Sequence, residues 1–339
     1  MGRTLGWDIG GAFVRAALAS DGRVLKVWQI PIPIARGRGA IEQAIDSILG
    51  DAGEISRHTV TLTGEIADSF ADRKAGVEQL SSALHERLGD DLFLYAGRSG
   101  WLSGTEVTGY AEDIASASWH ASASLAAEAV SEALFIDMGS SSTDIAPIAE
   151  HRVRAAGYTE RERLVCGELV PQGFVRTPVM AVADVVPFGG RSTPVLAVDF
   201  ATMEDAQRLL GTLEETGEPP EDDSAALDAT SRARLARMVG MDVADASPEA
   251  WSALAAAFAE AQLRHVQDAA LLVLSRCDIT KDAPIVVAGA GRPVLRRLAA
   301  RLDRGVIDFA DLVDCPSGLR DAVCLAAPAA AVALLGGND

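Results

Sequence analysis

One short motif occurs twice in this chain, and that repetition constrains the fold more than anything else in it. Leu5 to Ala17 reads LGWDIGGAFVRAA and Leu134 to Ala146 reads LFIDMGSSSTDIA. Aligned, Asp8 falls on Asp137, Gly10 on Gly139 and Gly11 on Ser140. In each copy an apolar run carries an aspartate into a turn of small residues, and an extended segment follows. A single strand–turn–strand of this kind reads first as a plain hairpin. Two copies, one opening each half of the chain, imply a duplicated architecture with two similar lobes facing each other across a cleft.

The turns have a chemistry of their own. Gly139, Ser140, Ser141 and Ser142, followed by Thr143, offer backbone N–H and hydroxyl donors with no bulky side chain to cover them. That is what an anionic oxygen such as a phosphate needs. Gly10 and Gly11 offer the same in the first copy. Carboxylates flank the turns at Asp8, Asp137 and Asp144, and such oxygens could hold a divalent cation beside a phosphate.

Composition narrows the partners. The 339 residues suffice for two domains, and 48 acidic against 30 basic side chains give a net charge of −18. That field argues against nucleic acid or an anionic membrane as partner. The start enters a strand with no apolar leader, and the Met1-Gly2 start lacks Ser or Thr at position 6. The longest apolar stretch, Cys324 to Leu335, is short, Ala-rich and carries Pro328, so a buried helix is expected and a membrane span is not. A cytoplasmic location follows as the expectation. Cys166, Cys277, Cys315 and Cys324 have no C-x-x-C spacing and the histidines no H-E-x-x-H, which leaves reduced thiols and no structural zinc. A homo-oligomer is left open.

Along the chain, residues 4–30 predict three strands in a meander with an Asp21-Gly22 turn. Arg36 and Arg38 stand in a basic loop, either solvated or reaching for an anionic substrate. Val60 to Leu62 predicts a strand ending at Thr63-Gly64-Glu65, with Asp68 and Asp72 behind it, and strand ends are where ligands collect in open α/β sheets. A helix over Val77–Leu88 and a strand over Leu92–Tyr95 follow. Ala115 to Ala133 predicts an Ala- and Ser-rich helix with Trp119 and His120 in its early turns. His120 is either a satisfied core histidine or a base, its ordinary pKa suiting proton transfer near neutrality. Arg176 interrupts an apolar run, as a structural ion pair or an anion contact.

The boundaries expected are a first lobe over 1–133, to which the C-terminal helix returns, and a second over 134–339. Residues 199–246 predict an insertion with an acidic loop, Glu214–Asp223. A long helix over about Pro248–Ser275 precedes a strand over Pro284–Ala288. That strand runs into Gly289-Ala290-Gly291-Arg292-Pro293 and a basic helix, a strand–turn–helix arrangement suited to an anion or nucleotide.

This constellation of two aspartate–glycine hairpins and a late Gly-x-Gly turn resembles the actin, Hsp70 and sugar-kinase superfamily. The fold class expected is therefore α/β, with two actin-like (ribonuclease H-like) lobes, duplicated β-hairpin phosphate loops and a cleft between them. The Thr63-Gly64-Glu65 corner, the Ser118-Trp119-His120 segment, the Glu168 to Pro178 stretch and MGSSSTDI resemble the hydantoinase A/oxoprolinase branch. FIDMGSSSTDI, LTGEIADSFADR, VRTPV and SGLRDAVCLAAPAAAVALL resemble, more narrowly, the hydantoinase-like proteins of methanopterin- and methanofuran-linked one-carbon pathways.

That resemblance implies a transferase joining an aminomethyl-furanmethanol diphosphate to a phenol, with release of diphosphate. The two hairpins would then hold the substrate's own diphosphate, with Mg²⁺ on Asp8, Asp137 or Asp144 and with ATP use left open. Phosphate contacts would come from Gly10, Gly11, Gly139, Ser140, Ser141, Ser142 and Thr143. Asp8, Asp144, Glu65 and His120 are the catalytic candidates; Trp119, Glu168, Arg176, Gly289, Gly291 and Arg292 are the substrate contacts. The partners implied are small molecules, a diphosphate and a phenolic acceptor. Pro171-Gln172-Gly173 stands where Tyr-Thr-Gly is expected, which leaves the acceptor open between tyramine- and tyrosine-derived. An ATP-dependent kinase or amidohydrolase and a nucleotide-switched interaction protein are the rival expectations for the same fold.

Overall fold

The computed structural model describes residues 2–32, 38–65, 70–104, 106–213 and 224–337. Arg36, the side chain of Arg38, Asp68 and the acidic run Glu214–Asp223 lie outside them.

Two mixed sheets form the frame. The first contains β1 (Thr4–Ile9), β2 (Phe13–Ser20), β3 (Arg23–Pro31), β4 (Arg57–Leu62), β5 (Leu92–Tyr95) and β6 (Trp101–Ser103), in the order β3-β2-β1-β4-β5-β6. The second contains β7 (Glu132–Met138), β8 (Thr143–Ala149), β9 (Arg152–Val153), β10 (Leu169–Val170), β13 (Ile285–Ala288) and β14 (Val306–Asp308). Its order is β10-β8-β7-β13-β14, with β9 also pairing β8. In both sheets an antiparallel hairpin comes first, and the next two long-range strands add in parallel on the far side of the opening strand. The repeat in the sequence is a repeat of topology, and the fold is the two-lobed actin-like α/β arrangement.

Local sequence accounts for the elements. β1 is buried along its whole length, as a central strand covered on both faces should be. The β2–β3 turn places Asp21 and Gly22 at φ 53° and 75°, the pair of positive values a two-residue hairpin loop takes.

The predicted helix over Ala115–Ala133 is shorter. It runs from Ser118 to Ala129, because Ser116 sits at φ 53° and because β7 begins at Glu132. The C-terminal helix divides into Arg320–Leu325 and Ala327–Leu335, bent by 102° at a joint where Pro328 cannot continue the preceding turn.

The Ala327–Leu335 helix is buried against the first sheet, together with the Ser118–Ala129 helix, in a core that also takes Phe135, Ile148 and Ala288 of the second sheet. Gly6 makes the approach possible: a Cβ there would lie 2.3 Å from Ala329 O and 2.5 Å from Ala333 N. Both sheets thus share one apolar layer built mostly of alanine, which lets backbones come close. No single helix among the described residues is long and apolar enough to cross a membrane.

A separate core gathers Val179, Val186, Met203, Leu235, Trp251 and Phe258. It holds the small hairpin of β11 (Val185–Phe188) and β12 (Arg191–Pro194), the helices Met203–Leu209 and Ser224–Met238, and the first half of the long helix Pro248–Arg276. This accessory body therefore draws on more chain than the 199–246 segment.

Candidate functional site between the two hairpins

In the first hairpin Asp8 stands directly opposite Arg15. Arg15 Nη1 lies 3.3 Å from Asp8 Oδ2, while Oδ1 is buried with no hydrogen-bond partner. Burial raises the Asp8 pKa above the ordinary carboxylate range, and the charge and hydrogen bond of Arg15 pull it back. The turn closes with Gly10 N–H donating to Phe13 O at 3.0 Å. Among the described residues no acceptor takes the N–H of Gly11 or Ala12, and Gly11 faces open space.

The second hairpin closes with the equivalent bond, Gly139 N–H to Ser142 O at 2.9 Å, and leaves the N–H groups of Ser140, Ser141 and Ser142 without an acceptor among the described residues. Here Asp137 stands opposite Asp144. Asp137 is pushed up to about 7, first by burial and then by the Asp144 charge, with Arg15 and Asp8 of the first hairpin also acting on it. Charges from one hairpin thus reach the carboxylate of the other.

Asp144 Oδ1 accepts from Arg163 Nη1 at 2.7 Å. Arg163 is 2% exposed; it also donates to Glu168 O at 2.8 Å, and its guanidinium lies 3.9 Å over the Trp119 ring. A Thr159–Glu162 capping box starts the Glu160–Cys166 helix that carries it.

The segment Pro171–Arg176 buttresses this hairpin. Phe174 N–H donates to Gly139 O and Arg176 N–H to Ser140 O, at 2.9 and 2.8 Å. Gly173 is required by proximity, since a Cβ would lie 2.4 Å from Ser141 N.

The third turn lies against the second hairpin as well. Gly289 takes φ +81°, and its Cβ would meet Asp137 Oδ1 at 2.3 Å; Gly291 N–H donates to Met138 O at 2.9 Å.

Glu65 ends the strand corner beside the first hairpin, where Thr63 and Gly64 both donate to Ile9 O at 2.9 Å. Its Oε1 accepts from Ser116 Oγ at 2.9 Å, Oε2 is buried without a partner, and burial raises its pKa.

Next to it is a cavity of about 160 Å³ between the two halves, lined by Arg98, Glu112, Asp113, Trp119, His120 and Tyr158 among others. Three aromatic rings wall it: Trp119 and His120 each lie about 6 Å from Tyr158. Arg98 covers Tyr158 at 4.7 Å. His120 Nδ1 meets Tyr95 Oη at 2.8 Å. Burial and then the Arg163 charge bring the His120 pKa down to about 4, so its ring is neutral near pH 7, while burial pushes Tyr95 up to about 12.

Several of the expected site residues are engaged elsewhere. Thr143 is buried and donates to Gln172 O at 2.8 Å. Glu168 is fully buried; it accepts from Ala156 and Gly157 N–H and from Arg276 at 2.8 Å, and so ties the 156–157 loop to the long helix. Arg292 is 1% exposed and bonds Gly289 O and Asp321. The Arg176 side chain is exposed at the rim, beside the second hairpin.

The sequence alone did not single out Arg15, Arg98, Tyr158 or Arg163. Arg15 had a signal, since in a hairpin turning at Gly10–Ala12 it must pair with Asp8. Arg163, nineteen residues beyond its partner Asp144, had none.

Among the described residues no three His, Cys, Asp or Glu side chains converge as a ready metal cage. Mg²⁺ usually keeps waters and takes one or two carboxylates plus substrate phosphate oxygens. The orphaned Asp8 Oδ1 and the charge-crowded Asp137 fit that need, because a cation between them would relieve both.

Residues 56–312, more than half of the chain, match the Hydantoinase/oxoprolinase family. A curated relative, the (4-{4-[2-(gamma-L-glutamylamino)ethyl]phenoxymethyl}furan-2-yl)methanamine synthase of Methanocaldococcus jannaschii, is 26% identical over 212 residues. The match covers 62% of this chain and 63% of that protein. Among solved structures, a nucleotide-free acetone carboxylase is similar over 97% of this chain and 70% of its own, at 10% identity and a TM-score of 0.58. A ROK family glucokinase from Streptomyces griseus, bound to glucose and AMPPNP, aligns over 98% and 99% at 14% identity and a TM-score of 0.49. The acetone carboxylase bears out the fold, and the family match makes this chain a member of the hydantoinase/oxoprolinase family.

Proposed function

We propose that this protein forms an aryl furanylmethyl ether: it joins an aminomethyl-furanmethanol diphosphate to the phenol of γ-glutamyl-tyramine, or of a tyrosine-derived analogue, and releases diphosphate, in the making of a methanofuran-type cofactor. The relative's name describes a product with this phenoxymethyl-furan linkage. The observation that carries the reading is the pairing of two donor-rich turns, free to accept an anion, with an aromatic-walled cavity between the same two halves.

The chemistry follows from the groups present. The bond between the furanylmethyl carbon and the diphosphate oxygen breaks, and its electron pair leaves with the diphosphate. Donors of Gly11, Ala12, Ser140, Ser141 and Ser142 would meet that growing charge at no cost in reorganisation. When bound on Asp8 and Asp137, Mg²⁺ would supply further charge neutralisation.

A cavity of about 150 Å³ holds one benzene-sized ring, so the aromatic slot suits a furan or a phenol. The phenolic oxygen bonds to the carbon, and its proton passes to the Glu65 carboxylate or to His120, whose ring is neutral at pH 7. Since the bond broken is carbon–oxygen and the diphosphate leaves intact, no phosphoryl group is transferred in this step.

The test is a mass-spectrometric assay of the furan diphosphate with γ-glutamyl-tyramine or γ-glutamyl-tyrosine, with and without ATP and Mg²⁺. Ether mass with one diphosphate per ether and no ATP supports the reading. Phosphate release from ATP on addition of a lactam or alcohol, with no ether, supports a kinase or amidohydrolase instead.

A further inference from the structure

A second cavity of about 400 Å³ opens beside the aromatic one, and Ala115, Glu112 and Thr159 line both. Its character is different. Asp72, Arg73, Lys74, Glu160 and Arg161 surround it, with no aromatic ring among the lining residues.

Part of this charge is already engaged. Asp72 caps its helix by accepting from Ala75 N–H, and Arg73 is ion-paired with Glu160 across the cleft. Lys74 is held only loosely, 3.9 Å from Glu78. Arg161 and Glu112 are exposed, with no ion pair or hydrogen bond among the described residues. The wall of this space is largely apolar, suited to the methylenes of a flexible chain, and the charges available on it are Lys74, Arg161 and Glu112.

We propose that this outer compartment binds the zwitterionic amino-acid tail of the acceptor, with its carboxylate on Arg161 and Lys74 and its ammonium on Glu112. The inference rests on the acceptor assigned above, a phenol carrying a γ-glutamyl group. The two cavities meet at Ala115, Glu112 and Thr159, so the ring enters the aromatic slot while the tail stays in the charged one. Arg161 supplies a planar fork that matches a carboxylate, and Glu112 lines the same compartment, so both charges on the tail's terminal α-carbon can be met at once. Arg161, Lys74 and Glu112 are positioning and specificity residues.

Calorimetric binding of γ-glutamyl-tyramine and of tyramine to the whole protein tests this without turnover. The wild type is expected to bind the glutamylated phenol about three- to tenfold more tightly, since ion pairs at exposed side chains are each worth up to about fivefold in affinity. In Arg161→Gln with Lys74→Gln the two dissociation constants are expected to converge, and Glu112→Gln to lower the ratio on its own. Equal affinity for both phenols in the wild type, or a preference untouched by these variants, would overturn the proposal. Differential binding with no ether formed would refute the reaction and leave the tail site standing.

Discussion

The two hairpins share a turn and differ at one opposing position. In both, the glycine two residues past the aspartate donates to the residue three further on, at 3.0 and 2.9 Å. Opposite that aspartate the first hairpin has Arg15 and the second has Asp144. Opposite charges directly across a strand pair stabilise and like charges destabilise. The first hairpin is therefore neutralised from within. The second is neutralised from outside, by Arg163 on a helix that also seats Trp119 and holds the Glu168 carbonyl. The divergence couples the second phosphate turn to the aromatic cavity through Arg163, while the first turn is balanced by its own Arg15.

If that coupling is real, Arg163→Met should have the largest effect. It leaves Asp144 opposite Asp137 without its ion-pair partner and uncovers the Trp119 ring. Removing one partner of a buried pair typically costs about 3–5 kcal/mol, and chemical denaturation measures it. In an activity assay the same variant should weaken both acceptor binding and diphosphate release, whereas a loss confined to stability would separate helix from site.

Asp8→Asn with Asp144→Asn should lower ether formation at least about a hundredfold, because it removes carboxylates that would hold Mg²⁺ against the leaving diphosphate, and losing one such stabiliser of a developing anion typically costs that much. A wild-type rate in that pair would remove both carboxylates from the mechanism.

Smaller effects follow at the borders. Gly289→Ala forces a side chain into φ +81° and toward Asp137 Oδ1, and is expected to cost about 1–3 kcal/mol. Arg15→Gln removes the attraction that lowers the Asp8 pKa, so less Asp8 is ionised near neutrality and the acidic limb of the pH–rate profile should move to higher pH.

Asp137 gives the mildest contrast. Its pKa rises on folding from the ordinary 3.8 to about 7, so the stability its neutral form contributes is present below about pH 4 and lost as pH rises through 7. Asp137→Asn should therefore raise the melting temperature more at pH 8 than at pH 5, and an equal shift at both would contradict the crowding.

Much of this was legible in the sequence because it is local. The motif at Asp8 and Asp137 determined two lobes, and the Asp21-Gly22 turn and the length of β1 follow from backbone rules within a few residues. What was not legible depends on pairs far apart in the chain. Arg163 meets Asp144 and Trp119 only through tertiary packing, and nothing near Glu168 reveals that its carboxylate holds Arg276, 108 residues away. Thr143 carries a phosphate-type hydroxyl in sequence, but its place in β8 turns that hydroxyl to the Gln172 carbonyl. Arg292 likewise follows a Gly-x-Gly turn as an anion ligand would, and burial commits it to Asp321 instead. Side-chain direction, set by the register of the second sheet, decided these cases.

The central claim is that both turns hold one diphosphate. A crystal structure of the protein with Mg²⁺ and inorganic diphosphate tests it most directly. The account predicts a single diphosphate bridging the N–H groups of Gly11 and Ala12 to those of Ser140, Ser141 and Ser142, with the cation on Asp8 and Asp137. Diphosphate on one turn alone, or density only at the Gly289–Arg292 turn, would contradict it.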